Sequence, residues 1–179
     1  MKKSIVILMA VLFFVTIGTI QGSDQNTKKE TKSVAKTPRK LEGTKVSDLA
    51  KTHFLTDFGN LADVTWQRTA NFDEATFTKN GKKIDAWYDY EANLVGTTSA
   101  AAFADVPASG QKEIKSLYKD YSIGPVVFYD DNEGNETDMI LYGMQFTDAD
   151  NYFVELTRGS DKIVVMVSPD GNVSFFKKL

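Results

Sequence analysis

Between Ala75 and Val95, apolar and polar residues alternate in two runs joined by Asn80-Gly81, and the same pattern returns without a gap from Val154 to Ser174. At a constant offset of 79, Phe77 falls on Leu156, Ile84 on Ile163, Tyr88 on Val167 and Leu94 on Val173. Alternation with a period of two marks a strand with one buried face, and Asn-Gly between two such runs is a strong hairpin signal. One hairpin unit is therefore used twice.

Each copy has a preamble. Val46, Leu49, Ala50, Phe54 and Phe58 recur at a helical period, with Asp48 in the favourable first turn and Gly59-Asn60 as a stop. Val64 and Trp66 then read as a strand, followed by Phe72 to Lys79, Lys82 to Tyr90 and Leu94 to Thr98. The second copy opens, after an Ala-rich segment from Ser99 to Pro107 that reads as a helical turn, with Ile114, Leu117, Tyr118 and Tyr121 at helical spacing. Ser109 is placed as its N-cap. At an offset of 63, Leu117, Tyr121, Val127 and Tyr129 match Phe54, Phe58, Val64 and Trp66. The offset grows to 79 downstream, so 16 extra residues fall around Asp130 to Gly143. They predict an extended hairpin, with Met139 to Phe146 as an added or lengthened strand, ahead of Tyr152 to Arg158, Lys162 to Ser168 and Val173 to Lys177.

Two helices with single apolar faces and two four-strand meanders predict an α+β fold: tandem helix-plus-meander repeats, residues 46–98 and 107–179, forming one antiparallel sheet with both helices on one face. Alternation turns Trp66, Ala75, Phe77, Ile84, Ala86, Tyr88, Val154, Leu156, Ile163, Val165 and Val167 toward the helices. It leaves Thr76, Asp85, Trp87, Phe128, Phe153, Val164 and Met166 on an open face. An exposed apolar patch of that size marks an interaction site. Asp85, Trp87, Phe128, Phe153, Val164 and Met166 are thus the candidate partner-binding residues, for an unknown protein or peptide or for a second copy in a homodimer.

The ends change where this domain is expected to work. Met1-Lys2-Lys3-Ser4, an apolar run from Ile5 to Ile20 and Gln21-Gly22-Ser23 follow the order of a secretory signal peptide, here residues 1–22. The run is short for a bilayer span, so no membrane segment is expected after cleavage, although retention as an anchor is the alternative. Export to the periplasm or beyond follows. With no cysteine there is no disulfide framework and no lipid-acceptor thiol. Residues 23–45 are polar, free of aromatics and rich in lysine, which reads as a disordered basic tether. Of 21 basic and 24 acidic residues, nine and three precede residue 46, leaving 12 and 21 in the folded part. A domain that acidic argues against a nucleic-acid partner.

Candidate chemistry is sparse. His53 is the single histidine and lies beside the apolar stripe of the first helix, with no nucleophile elbow to accompany it. Glycine-rich phosphate loops are absent from the sequence. No catalytic set emerges, so the chain reads as a binding module that is not an enzyme and needs no cofactor. The other candidate is calcium. The run from Asp130 to Asp138 is rich in oxygen ligands, with Asp130, Asp131, Glu133 and Asp138 as the metal set of a structural cell-envelope protein. Against it, a frame starting at Asp130 places Asn135 sixth and Leu141 twelfth, where an EF-hand requires Gly and Glu.

The positions Phe58, Val64, Trp66, Ala75, Phe77, Ala86, Tyr88, Pro107, Ile114, Tyr118, Tyr121, Tyr152, Val154, Leu156 and Asp170-Gly171 resemble PepSY-like secreted bacterial proteins, whose fold is related to that of the beta-lactamase inhibitor protein. The resemblance spans about residues 46–179. It implies an inhibitor-like fold and a periplasmic or secreted interaction module.

Overall fold

The computed structural model describes residues 36–179. The expected signal segment and the first part of the expected tether lie outside them. Ser47 caps the first helix, α1 (Asp48–Phe58), by accepting from the amides of Leu49 and Ala50, and Gly59 ends it at φ 84°. Four strands follow, β1 (Thr65–Arg68), β2 (Asp73–Lys79), β3 (Lys82–Tyr88) and β4 (Leu94–Ala101). A short 3-10 turn at Phe103–Asp105 leads to α2 (Ala108–Leu117). Then come β5 (Ser122–Asp131), β6 (Met139–Leu141), β7 (Met144–Phe146), β8 (Asn151–Arg158), β9 (Asp161–Val167) and β10 (Val173–Lys178).

Eight of these strands form one antiparallel sheet in the order β1-β2-β3-β4-β5-β8-β9-β10. It is the expected pair of four-strand meanders joined edge to edge through β4 and β5. Each helix closes its own half. Ala50 and Phe54 of α1 pack on Ala75, Phe77, Ala86 and Tyr88, while Ile114 of α2 packs on Val126, Val154, Leu156, Ile163, Val165 and Val167. Gly110 makes the second packing possible: a Cβ there would lie 2.6 Å from Val167 Cγ1. Helix α2 begins one residue after Pro107, so Ser109 sits inside its first turn, and the Ser109 hydroxyl donates to the Asp170 carbonyl rather than capping. Leu117, expected on the apolar stripe, is exposed.

Two expectations about the other face need correction. The extra residues neither lengthen a strand nor extend a hairpin of the sheet. They form a separate two-stranded hairpin, β6-β7, turning at Tyr142-Gly143 with φ 51° and 71°. It lies on the face away from the helices and builds a third core from Met139 and Phe146 with Phe72, Val95, Tyr129, Phe153 and Val164. Phe146 meets Tyr129 and Phe153 at ring-centroid distances of 5.1 and 4.9 Å. Phe153 and Val164 are fully buried there, so neither belongs to an open face.

The second correction is Phe128. A register shift between Ile123 and Val126 in the β5-β8 ladder inserts a bulge at Gly124-Pro125, and one extra residue reverses the alternation downstream. Val126 and Phe128 consequently face the helix side, where Phe128 packs against Tyr152 at 4.7 Å, and Val127 and Tyr129 face the hairpin side.

The described end of the basic segment is also more than a tether. Lys36 forms a parallel bridge with Thr137, the buried Pro38 accepts from Asn71 Nδ2, and the Leu41 amide donates to the Ala70 carbonyl. Arg39 pairs with Glu91 at 2.7 Å and lies 3.7 Å from the Tyr90 ring centroid. Residues 36–42 are therefore bound along the domain.

Candidate functional site

His53 and its surroundings do not assemble acid-base machinery. Its Nδ1 lies 2.6 Å from the Ala92 carbonyl, which fixes that nitrogen as the donor. Asp57, one turn on, accepts from the Tyr88 hydroxyl at 3.0 Å. Burial first, then the Asp57 charge, pushes that phenol far above its ordinary range. Both contacts tie α1 to the sheet.

The acidic run is divided by strand alternation. Asp130 points to the helix side, where it feels Lys82, and Asp131 points to the other. Asp131 and Glu133 border a depression of about 400 Å³ together with Glu136, Asp148 and Asp150. Asp138 is engaged elsewhere, accepting from Gln145 Nε2 at 2.7 Å and from the Asp148 amide at 3.3 Å. The four residues expected to share a calcium ion are thus not brought together, and no group of three or more His, Asp or Glu among the described residues is placed to hold a metal.

That depression does have a pH dependence. Asp148 Oδ1 is buried without a donor. Burial, followed by the neighbouring Asp131 and the charges of Asp138 and Glu133, pushes the Asp148 carboxyl up to about 8. An unfolded aspartate titrates near about 3.9, so the folded chain holds this proton more tightly. Its stabilising contribution is complete below about pH 4 and is lost as pH rises to about 8. Because the group is partly solvated, we expect only about 1–2 kcal/mol of loss. Urea midpoints of the parent should fall between about pH 5 and pH 8.5, whereas Asp148→Asn, neutral throughout, should keep the higher value. Parallel profiles for the two proteins would contradict this account.

The face opposite the helices is where the remaining candidates lie. The inserted hairpin divides it. Trp87 lies half-buried beside Phe72 and Ile140 on one flank, its Nε1 donating to Thr98 Oγ1 at 3.1 Å. Met166 packs half-buried against the third core, and Asp85 Oδ1 accepts from Thr76 at 2.6 Å. Trp87 and Met166 therefore share a side of the sheet without forming one open patch.

On the other flank a groove of about 610 Å³ remains, lined from the sheet by Thr98, Ala100, Pro125 and Val127, from the hairpin by Leu141 and Tyr142, and along β3 by Lys82, Lys83 and Asp85. The hairpin wall is anchored: the Tyr142 hydroxyl donates to Glu155 Oε1 at 3.1 Å and Lys177 Nζ donates to the Tyr142 carbonyl. Burial and Glu155 raise the Tyr142 phenol above its usual value, keeping it a neutral donor. The groove combines an apolar floor with a few charged groups, the usual make-up of a ligand-binding concavity. It holds no nucleophile paired with a base. Of its residues only Asp85 was singled out from the sequence; Leu141 and Tyr142 lie within the expected insertion, whose fold-back the periodicity did not show.

No family model matches the chain, and no curated protein sequence matches it. Solved structures do. A BLIP-like protein from Bacteroides fragilis superimposes with a TM-score of 0.58 at 16% identity, covering 76% of this chain and 89% of its own. A DUF2874 family protein from Bacteroides uniformis gives 0.61 at 14% identity, covering 75% and 90%. A Bacteroides eggerthii protein provisionally assigned to the periplasm gives 0.59 at 14%, covering 75% and 88%. The chain has the BLIP-like α+β fold, and at these identities the likeness shows the fold alone. None of the three is described as an enzyme. Among the described residues no helix is long and apolar enough to cross a membrane.

Proposed function

We propose that this is an exported, non-catalytic module that binds another protein through the groove between the inserted hairpin and strands β3-β5. The observation that carries the reading is the groove itself: a mainly apolar concavity of about 610 Å³ between the inserted hairpin and the sheet. The signal-like N-terminus, the PepSY-like sequence pattern, the BLIP-like fold and the neighbour provisionally assigned to the periplasm support it. So does the engagement of His53 with the Ala92 carbonyl and of Asp57 with the Tyr88 hydroxyl, contacts that tie α1 to the sheet.

Filling the groove tests it. Ala100→Trp places a large ring over the floor, while Leu117→Trp adds the same bulk at an exposed site on α2. Both should melt close to the parent. Proteins captured from the native envelope fraction by the parent and by Leu117→Trp should be lost with Ala100→Trp; equal capture by all three would place the binding surface elsewhere.

A further inference from the structure

We propose that His53 and Asp57 form a surface site for a divalent transition-metal ion of the zinc class, held between α1 and the turn that joins β3 to β4. The site is separate from the groove, so its failure would leave the groove reading untouched.

Helix geometry supplies the pair. His53 and Asp57 stand four residues apart in α1, and residues at that spacing share one helix face with their Cβ atoms about 6 Å apart. It is the spacing at which a helix presents two ligands to one zinc ion. Both side chains line a depression of about 250 Å³, together with Asn93, Asn132 and Asn135. His53 is half-buried in its wall and Asp57 is exposed.

The donor atoms are already oriented for a cation. A carbonyl can only accept, so the Ala92 contact at 2.6 Å keeps the proton on Nδ1 and leaves the Nε2 lone pair of the neutral ring unused. A metal-binding histidine has this same outer contact: its second ring nitrogen donates to a carbonyl or carboxylate, which fixes tautomer and orientation. The Ala92 carbonyl is itself held in place. Ala92 is buried, its amide donates to the Asp89 carbonyl at 2.9 Å, and the Asn93 amide donates to Asp89 Oδ1 at 3.0 Å. Asp57 has matching support: its Oδ2 accepts from the Tyr88 hydroxyl, a phenol that burial keeps protonated. The carboxylate belongs to no ion pair among the described residues, which leaves Oδ1 as the ligand atom.

The donor set also selects the ion. One imidazole nitrogen with one carboxylate oxygen suits zinc and its neighbours, whereas calcium and magnesium take oxygen donors. No lysine or arginine lines the depression, and Asn93 offers an amide oxygen as a further donor. Two strong ligands fall short of the four that close a structural zinc site, so the remaining positions go to Asn93 and water.

Zinc chloride is titrated calorimetrically into the chelator-treated full chain, while proton NMR follows the ring of His53, the single histidine of the sequence. One zinc per chain should bind with a Kd below about 0.1 mM, and the ring resonances should shift along the same saturation curve. His53→Ala should lose this binding. Asp57→Asn keeps an acceptor for Tyr88 and should weaken binding by more than the roughly tenfold that loss of an outer-shell partner costs. Calcium chloride at the same concentrations should leave the ring resonances in place. Absence of zinc binding, zinc binding that does not move the ring resonances, equal affinity in Asp57→Asn, or a ring shift produced by calcium would each overturn the proposal. Should His53→Ala prove unfolded, Asp57→Asn and the ring resonances of the parent decide.

Discussion

Truncating Phe153 to alanine is expected to cost about 3–5 kcal/mol, the range for deleting a buried aromatic. The residue sits on β8 in the third core, fully buried, with Phe146 at 4.9 Å and Phe176 at 4.9 Å. Its burial is supplied by the inserted hairpin, since on a bare sheet this side chain would face solvent and its truncation would cost less than about 1 kcal/mol. Equilibrium unfolding in urea distinguishes the two, and a small loss with an unchanged slope would mean that the hairpin does not close that face.

Arg68→Ala should cost a similar amount for a different reason. Asp73 is 1% exposed, and its carboxylate takes a two-pronged contact from Arg68, Nε to Oδ1 and Nη2 to Oδ2, both at 2.7 Å. It also accepts from the Ser47 amide at 2.9 Å, joining the start of α1 to β2. Removing the guanidinium leaves a buried charge with one neutral donor, which costs about 3–5 kcal/mol. The double variant Arg68→Ala/Asp73→Ala removes the stranded charge too, so it should be less destabilised than Arg68→Ala alone. A double variant whose loss equals the sum of the two single losses would show that the pair is not coupled.

The sheet was legible because its strands are long enough to alternate. The strand positions expected under the helices, from Trp66 in β1 to Val167 in β9, all pack in the two helix-side cores. Phe128 was lost to a single bulged residue: Gly124-Pro125 gives a signal for irregular backbone, but alternation counted through it comes out reversed. The hairpin was lost for another reason. Strands of three residues show no period, and where they fold back is decided by contacts with Tyr129 and Phe153, far apart in sequence from one another. Tyr142-Gly143 between Leu141 and Met144 was the one local hint, a turn dipeptide flanked by apolar residues.

The same fold-back explains why the candidate site shifted. Trp87, Met166 and Asp85 do lie on the face away from the helices, while Phe153 and Val164 were absorbed into a core and Phe128 turned to the other side. What remains accessible is a groove made jointly by sheet and hairpin, and only its sheet side could be read as a strand face. The basic segment carries a parallel lesson. Residues 36–42 are mostly polar, yet Arg39, Pro38 and Leu41 are held by Glu91, Asn71 and Ala70, partners that local composition does not reveal.

Site-specific photo-crosslinking tests most directly whether the groove binds the partner. A benzophenone side chain placed singly at Ala100 or Leu141, inside the groove, is compared with the same group at Leu55 or Leu117, exposed on the two helices. Irradiation in the native envelope fraction should give one crosslinked protein from both groove positions and none from the helix positions. The same protein crosslinked from Leu55 or Leu117, with nothing from Ala100 or Leu141, would contradict the account.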